Sequence, residues 1–386
     1  MTQPFLPYGR QDIQDTDIDA VVSVLKSDFL TQGPAVPRFE HHVAQRVGAK
    51  HAVAVNSATS ALHIACAALD LGPGDCLWTS PVTFVASANC ALYCGARVDF
   101  VDTDPATANM CPDHLAQKLA KADAEGTLPK VIVPVHLTGQ SCDMAKIAAL
   151  AKRYNIRVIE DASHAIGGAY LGAPVGSCAH SDIVVFSFHP VKIVTSGEGG
   201  MAITNDAGLA RKMERLRSHG ITRDVEEMTG PSDGSWYYQQ IELGWNYRLT
   251  DIQAALGVAQ LDRLDDYVTR RNTLADRYDD RLQNLPVTRP GRLTGAYSAW
   301  HLYVVRVPEA QHKDVFEKMR SAGLGVNLHY IPVHLQPYYA QFGFSPGDFP
   351  NSEAYYRSAI SIPLFPTLAE ADQDRVVTTL TEALGK

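Results

Sequence analysis

The hydrophobic positions of this chain change period along its length, and the changes mark out its elements. Ile13, Ile18, Val21, Val22 and Leu25 recur at helical spacing and predict a helix over residues 11–26. The run Ser27-Asp28-Phe29-Leu30-Thr31-Gln32-Gly33-Pro34 breaks that period. A second helix is predicted over 38–47, ahead of Gly48. From there short apolar runs alternate with helical stretches. The runs are residues 52–55, 76–79, 97–101, 130–135, 157–160, 183–186 and 201–204. The helical stretches are 60–69, 84–93, 112–121 and 143–154, with Pro112 suited to a first helical turn. Most of the runs are apolar at successive positions rather than at every second one. That is the pattern of strands covered on both faces. Alternation of this kind predicts an α/β fold with a mainly parallel, seven-stranded sheet and helices on both sides.

Residues 249–282 read as one long helix or two joined helices, rich in charge after Gln260. The domain change is placed there. Residues 1–255 form a large domain that includes the N-terminal segment, and residues 256–386 form a smaller α+β domain. The smaller domain is expected to hold a strand over 301–307, a helix over 311–322 and a last helix over 370–384.

Composition narrows the possible roles. With 386 residues, 46% of them hydrophobic and 20% charged, the chain can bury a large core and divide into two units. A net charge of −8 disfavours nucleic acid or an anionic membrane as the main partner. The start, Met1-Thr2-Gln3-Pro4-Phe5-Leu6-Pro7, carries no basic segment followed by a long apolar core, so no signal peptide is expected. No run approaches the roughly 20 apolar residues that span a bilayer. The seven cysteines are odd in number and scattered, which argues against a disulfide framework or a metal site. The expected setting is a reducing cytoplasm.

The candidate chemistry centres on Lys192. It follows the apolar run 183–186 within Ser187-Phe188-His189-Pro190-Val191-Lys192 and precedes Gly197-Glu198-Gly199-Gly200. A lysine taken partly out of water loses its proton more readily, and the free amine attacks an aldehyde. The alternative is a strand-end lysine reaching back to solvent. Asp161 ends the run 157–160, where the carboxyl ends of parallel strands face a ligand crevice. A carboxylate there, together with an imine-forming lysine, suits pyridoxal 5'-phosphate, whose pyridine nitrogen needs an anion beside it. Asp161 could instead cap a helix beginning at Ala162. Glu160 falls on the opposite side of the strand, so the two carboxylates are not expected to pair. Asn56-Ser57-Ala58-Thr59-Ser60-Ala61 joins a strand to a helix and offers small residues and free amides to one phosphate. Ser57 or Thr59 could also be a plain helix cap. Ser187 adds a possible phosphate donor. Phe84 could stack on a ring or belong to the core.

In these residues the chain resembles the DegT/StrS family of nucleotide-sugar aminotransferases, which are fold type I pyridoxal-phosphate enzymes. The resemblance covers nearly the whole chain and rests on residues 27–40, 56–63, 160–165, 187–200, 244–249 and 361–363. It implies that Lys192 carries the cofactor and moves protons, and that Asp161 pairs with the ring nitrogen. Ala58, Thr59 and Ser187 would hold the phosphate, and Phe84 would lie against the ring. Asn246 would reach the phosphate of a neighbouring subunit, so the implied assembly is a homodimer with a shared site. Many members carry glutamine where this chain has His164, whose imidazole could hydrogen-bond the cofactor's ring oxygen.

Within the family, the segments 56–62, 161–165, 187–192, 217–220 and 329–332 are most similar to the pseudaminic-acid branch. That branch moves an amino group from L-glutamate to carbon 4 of a UDP-linked 4-keto-6-deoxy-HexNAc. The resemblance implies substrate contacts from Tyr8, from Asp28, Phe29, Leu30 and Thr31, and from His329, Tyr330, Ile331 and Pro332. Ordinary loop packing is the competing account of these segments. Other readings are an aminotransferase for a different nucleotide-linked keto sugar, of perosamine or bacillosamine type, and a non-catalytic nucleotide-sugar sensor. A dehydratase on the same scaffold is disfavoured, because that branch has histidine where Lys192 stands. A nicotinamide dehydrogenase is disfavoured because no strand is followed by G-x-G-x-x-G.

Overall fold

The computed structural model describes residues 4–386; Met1, Thr2 and Gln3, part of the segment read for a leader, lie outside the described residues. Seven strands form the central sheet: β1 (His51–Val55), β2 (Cys76–Thr79), β3 (Arg97–Phe100), β4 (Val131–Val133), β5 (Arg157–Asp161), β6 (Ile183–Ser187) and β7 (Gly200–Thr204). Their spatial order is β1-β7-β6-β5-β4-β2-β3. The pairs β6–β5, β5–β4, β4–β2 and β2–β3 are parallel, while β7 runs antiparallel to both β6 and β1.

The burial pattern explains why the runs were apolar throughout. Val53, Val55, Val131, Val133, Ile159 and Val185 point into one core, beneath helices that include α1 (Ala58–Ala68) and α2 (Ala86–Tyr93). Their neighbours Ala54, Val184, Phe186, Met201 and Ile203 point into a second core on the other face, with Phe39, Val43 and Leu264. A strand buried on both sides has no solvent face to keep polar. The sheet also fixes where chemistry can occur. Asp161 and Ser187 are the last residues of the adjacent parallel strands β5 and β6, so their side chains emerge at one edge.

Residues 249–282 form two joined helices, α3 (Asp251–Leu261) and α4 (Leu264–Leu282). Thr250 starts α3 in a capping box with Gln253. The first turns of α4 bury Leu264, Tyr267 and Val268 in the sheet core, and its later turns bury Leu274, Ala275, Tyr278 and Leu282 in a separate one. That separate core includes the antiparallel pair Tyr303–Arg306 with Ala359–Ile362, and the last helix, Glu370–Ala383. Leu6 from the N-terminal segment joins it, where Leu6–Pro7 pairs in parallel with Leu324–Gly325. Among the described residues no helix is long and apolar enough to cross a membrane.

Candidate active site

Lys192 lies in the turn after β6, with its backbone N–H donating to His189 O at 2.9 Å. The residue is only partly exposed, and its side chain makes no hydrogen bond or ion pair among the described residues. Desolvation lowers its pKa to about 8, and nearby Asp161 opposes the shift. About a tenth of such a lysine is neutral near pH 7, far more than for a solvated one.

Asp161 is buried at the end of β5. Its Oδ2 accepts the Ser87 hydroxyl at 2.6 Å, and its Oδ1 accepts the Ser163 hydroxyl at 2.6 Å and the Ser163 N–H at 3.1 Å. No helix follows, so Asp161 is not a helix cap. Glu160 points to the other side, where its Oε2 pairs with His136 Nε2 at 2.7 Å and its Oε1 accepts the Ser181 hydroxyl at 2.5 Å. The two carboxylates share no partner.

The start of α1 forms a cradle. Ser57 is its cap, accepting the Ser60 N–H at 3.1 Å. The amides of Ala58 and Thr59 and the Thr59 hydroxyl take no partner among the described residues. Ser187 is paired across the sheet with Gly200, and a Cβ on Gly200 would lie 2.4 Å from Ala58 N and Ser57 O. Only glycine permits β7 to pass this close, which brings Ser187 beside the helix start. Free amides, a helix dipole and a hydroxyl together suit one phosphate.

A ring of aromatic and imidazole groups completes the site. Phe84 precedes α2 and is 57% exposed, so it is not a core residue; its ring is 6.0 Å from Tyr330. Tyr8 approaches His329 at 5.0 Å between ring centres. His164 is buried against His301, with ring centres 4.4 Å apart. Its Nδ1 accepts the Thr138 N–H at 3.3 Å, and its Nε2 faces the Tyr330 hydroxyl at 3.3 Å. Burial drives the pKa of His164 and His301 well below the usual value, and Lys192 adds to the effect. Burial lowers His329 to about 3. Three imidazoles around the lysine are therefore neutral at physiological pH. Pro332 is buried and ends this segment, while Ile331 is 43% exposed.

Two sequence-predicted groups do not join this cluster within one chain. Asp28, Phe29, Leu30 and Thr31 are exposed and are tied to α3, with Leu30 O accepting the Asp251 N–H at 3.0 Å. Asn246 is exposed between Trp245 and Tyr247, whose backbone is held by Asn56 N–H at 2.8 Å. A cavity of about 600 Å³ also lies away from the lysine, between the helix Asp15–Leu25 and α3. Its charged groups are engaged: Asp251 accepts the N–H groups of Gly33, Ala35 and Val36, and Arg263 pairs with Asp17. The sequence assigns no site role to Ser87, Ser163, Thr138 or His301. Ser87 stands one helical turn beyond Thr83, with which it shares a 2.8 Å hydrogen bond, but nothing local distinguishes it from other serines.

Comparison with known proteins points the same way. The DegT/DnrJ/EryC1/StrS aminotransferase family profile matches residues 11–381. The chain is 42% identical over 380 residues to the spore coat polysaccharide biosynthesis protein SpsC of Bacillus subtilis, covering 97% of this chain and 95% of that one. It is 37% identical over 385 residues to a UDP-4-amino-4,6-dideoxy-N-acetyl-beta-L-altrosamine transaminase of Campylobacter jejuni, covering 99% and 98%. Its fold matches Helicobacter pylori PseC, an aminotransferase of pseudoaminic acid biosynthesis, with a TM-score of 0.91 at 29% identity over 99% of both chains. A solved sugar aminotransferase of the same fold is known in both pyridoxal and pyridoxamine phosphate forms.

Proposed function

The chain belongs to the DegT/DnrJ/EryC1/StrS aminotransferase family, and from that premise we propose that it moves the amino group of L-glutamate to carbon 4 of a UDP-linked 4-keto-6-deoxy-HexNAc. It is a pyridoxal-phosphate-dependent sugar aminotransferase. The observation that carries the finer reading is the wall around Lys192. It is built from neutral hydrogen-bonding rings, Tyr8, His164, His329 and Tyr330, and the exposed face of Phe84. Such a wall suits a hydroxylated, uncharged ring. Support also comes from the likeness to the Campylobacter transaminase over almost the full length.

Bound pyridoxal phosphate supplies an electrophilic carbon and an electron sink. The residues do the rest. Lys192 would carry the cofactor at rest, and its freed amine would take up and return the proton at the substrate carbon. Asp161, held by Ser87 and Ser163, would keep a proton on the ring nitrogen. The amides of Ala58 and Thr59, the Thr59 hydroxyl and Ser187 would bind the phosphate, and Phe84 would lie against the ring. His164 would donate a hydrogen bond to the ring oxygen. Asn246 and the segment Asp28–Phe29–Leu30–Thr31 serve the site of a second copy in a cytoplasmic homodimer, and His329, Tyr330, Ile331 and Pro332 contact the sugar. Two half-reactions on one site predict ping-pong kinetics.

The test uses the pyridoxamine form and a panel of UDP- and dTDP-linked keto sugars, with return of the visible cofactor absorbance as the readout. The UDP-linked 4-keto-6-deoxy-HexNAc should react fastest. Faster return with a dTDP sugar lacking the N-acetyl group overturns the assignment. A second reading, a keto sugar of perosamine or bacillosamine type, draws on the 42% identity to SpsC and is read by the same panel.

A further inference from the structure

Thr138 holds a left-handed backbone, with φ of +64°, although it is β-branched. The turn it makes is clamped from several directions. Leu302 N–H donates to Thr138 O at 3.1 Å, and Ala299 N–H donates to Gly139 O at 3.0 Å. Leu137 N–H donates to Asn109 Oδ1 at 3.0 Å. Gly139 has φ of +110°, and a Cβ there would lie 2.7 Å from Trp300 N, 2.8 Å from His301 N and 3.0 Å from His164 O. The backbone it meets is held in turn by Arg271, a buried guanidinium with no carboxylate partner among the described residues. Its Nη1 donates to Trp300 O at 3.1 Å, His301 O at 3.3 Å and Leu364 O at 3.0 Å. The result of this stack is one N–H, that of Thr138, aimed at His164 Nδ1 at 3.3 Å.

A backbone amide can only donate, so the Nδ1 it meets must be an acceptor. We infer that the Thr138–Gly139 turn, backed by His301 and Arg271, is a positioning device that locks His164 as its Nε2–H tautomer and bars the imidazolium. Protonating Nδ1 would set two donors against each other across 3.3 Å. The groups facing His164 reinforce the bar: Lys192 disfavours a second positive charge, and His301 packs on the ring while His329 stands near it, both without charge of their own. Tyr330 faces the other nitrogen, where its hydroxyl oxygen accepts from Nε2–H in this tautomer. The consequence is a hydrogen-bond donor of constant sign toward the cofactor. A titrating histidine would alternate between one donor and two within the working pH range. The turn gives an imidazole the constancy of a side-chain amide.

The inference rests on the reading of His164 as cofactor-facing, but its first test is independent of the sugar. Full-length protein labelled with nitrogen-15 histidine, with and without pyridoxal phosphate, is followed by two-bond proton–nitrogen correlation from pH 5.5 to 9. His164, assigned by the signal lost in His164→Gln, should show an unprotonated Nδ1 and a protonated Nε2 at every pH. A protonated Nδ1, or an ordinary titration near 6.5, overturns the inference. The second test separates positioning from general damage. Arg271→Gln should weaken pyridoxal phosphate binding about tenfold at pH 6 and less at pH 8, the loss of about one charge-independent hydrogen bond on the acid side. Adding His164→Gln should remove that pH dependence, because an amide does not titrate. A pH-dependent Arg271→Gln penalty that survives in the double variant, measured against His164→Gln alone so that the titration of Lys192 cancels, also refutes the device.

Discussion

The edge of the sheet and the outer segment 221–249 are built on opposite principles. At the edge, Asp161, Ser87, Ser163, Thr138 and His164 satisfy one another within a single chain, and every one of these contacts is buried or half-buried. The outer segment has little regular structure, only the pair Ile221–Thr222 with Gln239–Gln240. It leaves Val225, Trp236 and Leu243 each more than 70% exposed. The contrast teaches that one chain gathers Lys192, Asp161 and their buried partners by itself, while Asn246 stays outside that cluster. The homodimer with composite sites proposed above would account for both halves.

The largest effect belongs to the edge. Lys192→Ala should remove visible cofactor absorbance and lower kcat at least about 10³-fold, the scale of a lost acid–base group; a variant with wild-type turnover would refute the lysine's role. Asp161→Ala should still bind cofactor but turn over about 10²-fold more slowly, since the ring nitrogen loses its counter-ion. The shared site is tested by mixing Lys192→Ala with Asn246→Ala subunits. Each mixed dimer holds one intact site, so random exchange should restore about a quarter of wild-type activity. No recovery, with mixed dimers shown by native mass spectrometry, would confine the site to one chain.

Ser87→Ala removes one hydrogen bond to a charged group, worth about 2 kcal/mol. It should raise the apparent pKa of the ring nitrogen in a spectral titration and leave the melting temperature within a few degrees. The smallest effect is on stability. His329 has a folded-state pKa lowered to about 3, while the unfolded chain takes up a proton near 6.5. The unfolded state therefore binds more protons in this window, and stability falls as pH drops from about 6.5 toward 3. His329→Gln should flatten that slope in thermal melts between pH 7 and 4. An unchanged slope would show that His329 is not buried neutral.

The Lys192–Asp161 pair was legible because strand ends are predictable. Apolar runs locate the strands, parallel pairing puts their carboxyl ends on one edge, and the residues just beyond them face the ligand. Boundaries followed caps more than periodicity. The first helix starts at Asp15 rather than near residue 11, since Gln14 and Asp17 cap it reciprocally. The helix predicted over 84–93 starts at Ala86, which leaves Phe84 outside it and free to face the site.

By itself the order of residues determined the alternation of strands and helices, the sheet buried on both faces, which carboxylate ends a strand and which lysine follows the neighbouring one. These follow from short-range periodicity and from chirality, which act over a few residues at a time. Only the tertiary structure decided that Ser87, Thr138, His301 and Arg271 serve the site. Their partners stand 74, 26, 137 and 29 or more positions away or depend on such a partner. A serine, a threonine or an arginine is aimed by the packing around it, and no local pattern records that aim.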